Sequence, residues 1–147
     1  MTGPSVPGAM SDRVPPDGLD RVLRVLVVDD SAYVRKVVRE MLSRSPFLEV
    51  VGAARDGAEA LRLVEELRPD VVTCDLMMPG VDGHGFIGEQ MARRPVPIVV
   101  ISGNSDAERA RAVLQTGAFD YLPKPFDLSV LERVVAAAIV EHERRAQ

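Results

Sequence analysis

Short apolar runs alternate along this chain with stretches in which apolar residues return every three or four positions. The runs are Val25-Leu26-Val27-Val28, Val50-Val51-Gly52-Ala53, Val71-Val72-Thr73-Cys74, Ile98-Val99-Val100-Ile101 and Phe119-Asp120-Tyr121-Leu122. Continuous rather than alternating apolar residues mark strands covered by helices on both faces, and the first, third and fourth runs show this best. Between the runs, Val34, Val37, Val38, Met41 and Leu42 predict one buried helix face. Leu61, Val64 and Leu67 predict a second, and Leu128, Leu131, Val134, Val135, Ala138 and Ile139 a third. Asp56 with Glu59 and Ser105 with Glu108 have capping-box spacing, which places helix starts near 57 and 106. The alternation predicts an α/β fold, a (βα)5 unit with a five-stranded parallel sheet.

Residues 1–20 lie outside this pattern. They hold four prolines and three glycines without apolar periodicity, too little burial to offset the entropy of ordering, so a disordered N-terminal tail is expected there and one domain over 21–147. A net charge of −4 gives no basic footprint for nucleic acid. The single cysteine, Cys74, cannot form an internal disulfide. No apolar stretch approaches the roughly 18 residues of a membrane span, and no signal core opens the chain, which makes the cytoplasm the expected compartment.

The candidate chemistry sits where the strands end. Ligands of open α/β sheets bind outside the carboxyl ends of the strands, where strand order reverses. The first run exits into Asp29-Asp30, the third into Asp75, the fourth into Ser102-Gly103 and the fifth into Pro123-Lys124-Pro125. Three carboxylates, a hydroxyl and an ammonium therefore share one rim. Like charges so close repel unless cations join them, and one divalent ion plus Lys124 balances the three aspartates. All-oxygen ligands with places left for water and phosphate suit Mg²⁺. This points to phosphoryl transfer with Asp75 as nucleophile, because carboxylates form aspartyl phosphates.

Val27-Val28-Asp29-Asp30-Ser31, the segment from Asp75 to Gly83 (DLMMPGVDG), Ile101-Ser102 and Lys124-Pro125-Phe126 together resemble the receiver domain of two-component response regulators. The resemblance covers about Arg24 to His142. It implies a flavodoxin-like doubly wound sheet in the order 2-1-3-4-5, which periodicity alone does not determine. It also implies that Asp75 accepts a phosphoryl group, and that Asp29, Asp30, Asp75 and the main-chain carbonyl of Met77 hold Mg²⁺. Ser102 and Lys124 would contact phosphoryl oxygens, with Ser102 and Tyr121 as the switch pair. A cis Lys124–Pro125 peptide is expected from the same match. The implied partners are a sensor histidine kinase or phosphotransfer protein, a downstream protein target, and a second copy through the face formed by helix 4, strand 5 and helix 5. Neither nucleic acid nor membrane is expected as a direct partner. Beyond self-catalysed phosphotransfer and autodephosphorylation, no enzyme activity is expected.

The segments Arg24–Asp56 and Pro95–Ser102 resemble most the receiver half of chemotaxis methylesterases. Two readings of the chain follow, a stand-alone receiver or the receiver part of a larger regulator; a scaffold keeping the fold without the chemistry is a third. An independent aspartate phosphatase of the haloacid-dehalogenase type is disfavoured, since Met77 stands where that chemistry needs a second acid. On the last helix the seven residues Val134–Val140 are all apolar, wider than one buried stripe. Part of that face is expected to be free for a partner, and three alanines supply an equally good local reason for the composition.

Overall fold

The apolar runs form one sheet, and the periodic stretches form the helices on its two sides. The computed structural model describes residues 21–76, 83–103 and 107–146. Its elements are β1 (Leu23–Val28), α1 (Ala32–Leu42), β2 (Leu48–Ala54), α2 (Gly57–Leu67), β3 (Val71–Cys74), α3 (Gly83–Arg93), β4 (Ile98–Ser102), α4 (Ala107–Thr116), β5 (Asp120–Pro123) and α5 (Leu128–Arg145). All neighbouring strands are parallel, in the order β2-β1-β3-β4-β5. This is the flavodoxin-like order that the resemblance implied.

Two apolar cores follow from the side-chain alternation of the strands. Leu26, Val28, Val72, Cys74, Ile98 and Val100 point towards α2, α3 and α4, where they meet Leu61, Val64, Phe86, Ile87 and Val113. Val25, Val27, Val71, Val99 and Ile101 point to the other face and meet Val38 and Leu42 of α1 and Leu131, Val135 and Ile139 of α5. With β1, β3 and β4 covered on both faces, no polar side of these strands remains for water. That accounts for their unbroken apolar runs.

The differences from the sequence expectations are local. β1 and β2 are longer than their apolar runs because pairing continues from Leu23↔Leu48 to Val28↔Ala54, with a register shift that skips Val51. β5 lies one residue later than expected. α2 starts at Gly57 under Asp56, whose Oδ1 accepts the Glu59 N–H at 2.8 Å, while Glu59 Oε1 accepts from Arg55 N at 2.8 Å, one residue ahead of the cap. Ser105 lies outside the described residues. In α1 the expected buried residue Val37 is 38% exposed beside Tyr33 at 75%, because Val38 and Leu42, four apart, set the buried stripe and Val37 lies about 100° round the helix from Val38. In α5, Val135, Ala136, Ala138 and Ile139 are buried, and only Val140 is an exposed large apolar residue, at 37%. Most of the wide apolar band is thus consumed by the sheet. The tail over 1–20 lies outside the described residues, and among the described ones no helix is long and apolar enough to cross a membrane.

α2 ends on Arg68 in the left-handed region, φ 49°, with its N–H on the Val64 carbonyl at 3.0 Å. Glycine is the residue that takes this conformation without a Cβ clash. The Arg68–Glu65 ion pair is largely exposed and contributes little. Arg68→Gly should therefore raise stability by about 0.5–1 kcal/mol, read as a higher urea midpoint with an unchanged slope. A lower midpoint would show that the guanidinium contacts outweigh the backbone strain.

Candidate functional site

Strand order reverses between β1 and β3: from β1 the chain moves outward to β2, then returns past β1 to build β3, β4 and β5. The two crossovers leave in opposite directions and open a crevice above the carboxyl ends of β1 and β3. The acidic residues stand there on backbone hydrogen bonds that extend the sheet by one rung. Asp29 N donates to the Ala54 carbonyl at 3.0 Å, and Asp75 N donates to the Val28 carbonyl at 2.9 Å. Two strands over, Lys124 N donates to the Ser102 carbonyl at 2.9 Å, and the following Lys124–Pro125 peptide is cis, as expected.

Asp29 is only 4% exposed, so its charge requires partners. Its Oδ1 accepts the Ser31 N–H at 3.0 Å, and its Oδ2 faces Lys124 Nζ at 3.3 Å. Ser31 also caps α1, its Oγ accepting from Val34 N at 3.1 Å, and Arg35 reaches back to the Asp29 carbonyl at 2.8 Å. The first turn of α1 thereby locks the residue that holds the lysine. Asp30 is exposed and Asp75 half-buried. One carboxylate oxygen from each of Asp29, Asp30 and Asp75 lies within 4.8 Å of the others. Lys124 supplies one positive charge to three negative ones, so the cluster attracts a further cation. Three hard oxygen donors, with the Asp30 side open to solvent, fit an ion that keeps waters in its coordination shell, as Mg²⁺ does.

The other expected residues take these places. Ser102 is buried at the end of β4, paired with Pro123 of β5. Tyr121 pairs with Val100, packs on the α2–α4 core, and has its hydroxyl buried without a hydrogen-bond partner among the described residues. The ring itself is partly buried. Met77 lies outside the described residues. Gly83 carries a role that its place in the motif did not reveal. As the first residue of α3 it donates its N–H to the Leu76 carbonyl at 3.0 Å, and a Cβ there would sit 2.5 Å from Leu76 Cα and 2.7 Å from the Asp75 carbonyl oxygen. Only glycine lets α3 lie directly against the backbone that carries Asp75. The signal was the glycine itself, in a position where a helix start offers many alternatives.

The family model for the response regulator receiver domain matches residues 25–136. The chain belongs to this family. Among curated relatives, a protein-glutamate methylesterase/protein-glutamine glutaminase of Symbiobacterium thermophilum is 50% identical over 118 residues, 79% of this chain and 31% of the relative. One from Myxococcus xanthus is 51% identical over 109 residues, 73% of this chain and 31% of the relative. The chain thus spans about a third of the length of these relatives. Among solved structures, the response regulator domain of Thermotoga maritima CheB is 38% identical, with a TM-score of 0.68 covering 86% of this chain and 96% of that one. A LuxR-family response regulator from Aurantimonas is 29% identical, with a TM-score of 0.76 covering 82% of this chain and 86% of that one. The receiver fold and the kinship with methylesterase receivers are both established by these matches.

Gly83→Ala should lower stability by about 1–3 kcal/mol, since the obstructing atoms are backbone and cannot rotate away. Urea denaturation checks this; an unchanged midpoint would mean that α3 is free to lift from Leu76.

Proposed function

We propose that this receiver is a phosphorylation-dependent signalling switch that takes a phosphoryl group on Asp75 from a histidine kinase or phosphotransfer protein. The observation that carries the reading is the convergence of Asp29, Asp30 and Asp75 within 4.8 Å, with Lys124 3.3 Å from Asp29. An Asp75 carboxylate oxygen attacks the phosphorus in line, the bond from phosphorus to the donor imidazole nitrogen breaks, and its electron pair leaves with the imidazole. Mg²⁺, held by Asp29, Asp30, Asp75 and the Met77 carbonyl, would offset the charge that develops on the equatorial oxygens. Lys124, tethered by Asp29 at the rim, reaches a second phosphoryl oxygen, and the Ser102 hydroxyl donates to a third. Attack of water on the same phosphorus later frees Asp75 and ends the signal.

The output we propose is protein contact through the α4–β5–α5 face, either with a downstream target or with a second copy. Movement of Ser102 towards the phosphoryl group changes the space next to Tyr121 on β5. Its buried, unpartnered hydroxyl is held at a cost of about 1–3 kcal/mol, so the inward ring is a state that small changes nearby can redistribute. The identity to protein-glutamate methylesterases favours an effector of that kind as the controlled unit, and the cytoplasm as the compartment.

Incubation with acetyl phosphate and Mg²⁺, read on a phosphate-retarding gel, should shift the wild type, while Asp75→Asn or added EDTA abolishes the shift. Full labelling of Asp75→Asn would overturn the assignment. Asp30→Asn should weaken Mg²⁺ binding at least tenfold by calorimetry, because it removes one of three charged donors. The same variant should melt at the same temperature as the metal-free wild type or higher, because it relieves repulsion within the cluster.

A further inference from the structure

One side chain inside β3 is out of keeping with its surroundings. Thr73 is 2% exposed, and the sheet register places it between Val27 of β1 and Val99 of β4. Valine would fill such a position with the same shape and no polar atom. Side chains two residues apart share a sheet face, so Thr73 lies directly beneath Asp75, as Val27 lies beneath Asp29. Between these layers is a cavity of about 10 Å³ whose polar walls are Thr73, Asp29, Asp75 and Lys124. That is about the least volume that holds one water, and an internal water requires two to four polar partners. The walls offer a hydroxyl, two carboxylates and an ammonium.

We infer that Thr73 is a positioning residue for Asp75, acting through one internal water that its hydroxyl shares with the Asp75 carboxylate. The inference rests on the reading of Asp75 as phosphoacceptor. A nucleophilic carboxylate that also binds a cation must present one oxygen to each task, yet rotation about the last bond of an aspartate is soft and nearly two-fold. A donor fixed below the carboxylate by the rigid centre of the sheet selects one rotation. Water-mediated bonds hold nearly as well as direct ones.

The test uses the full chain with Thr73→Val and Thr73→Ser. With acetyl phosphate at saturating Mg²⁺, Thr73→Val should label about three- to tenfold more slowly than wild type. Its Mg²⁺ dissociation constant should stay within about twofold, and its melting temperature should not fall. Thr73→Ser, which keeps the hydroxyl, should return to within about twofold of the wild-type rate even if its melting temperature drops. Proton NMR of the metal-free protein should show the Thr73 hydroxyl in contact with a long-lived water, and that water should be missing in Thr73→Val. A Thr73→Val rate equal to wild type, a Thr73→Ser rate as low as that of Thr73→Val, or no long-lived water overturns the inference while Asp75 labelling stands. A wild type that fails to label would instead remove the underlying phosphoacceptor reading.

Discussion

The repulsion among three aspartates at the end of an apolar sheet is the constraint on which the rest of this molecule depends. Asp29, Asp30 and Asp75 reach within 4.8 Å of one another, an arrangement that would relax apart if its supports were soft. The supports are not soft. Asp29 and Asp75 each stand on a sheet hydrogen bond, the strands below them are buried on both faces, and the first turn of α1 grips Asp29 through Ser31 and Arg35. Rigid packing holds the three charges together at the rim.

The same logic bears on two features at this end of the sheet. Gly83 lets α3 press on the main chain of Asp75 and Leu76, and the cis Lys124–Pro125 peptide directly follows the lysine that faces Asp29. Elsewhere among the described residues stand a shifted register at Val25/Leu26, a left-handed Arg68 at the far end of α2 and a positive φ at Gly117.

In the switch we propose, Tyr121 and Ser102 connect this rigid end to a surface. They lie on the two strands farthest from β2 along the sheet order, and the aromatic hydroxyl is buried without a partner. Like Gln90 Oε1 and Arg94 Nε, it is a buried polar atom without a partner among the described residues, a local compromise that lets two conformations lie close in free energy.

The sequence by itself determined the element order, the doubly covered strands and the residues on the rim, because burial on both faces leaves an unbroken apolar run and the residue ending each run is the first free to be polar. Asp29, Asp30, Asp75, Ser102 and Lys124 were legible for that reason, and their order along the chain was enough to suggest the family. Tertiary structure decided what depends on how elements lean on one another. It turned Val37 outward and Val38 inward, although both fit the same spacing, because the helix can present only one stripe to the sheet. It packed Tyr121 against the core between the sheet and α2–α4, placed Gly83 on the Asp75 carbonyl, and put Thr73 beneath Asp75 in a strand that the sequence pattern reads as uniformly apolar. Periodicity reports which residues avoid water; the distance between two residues on different strands is fixed only when the strands take their order and register.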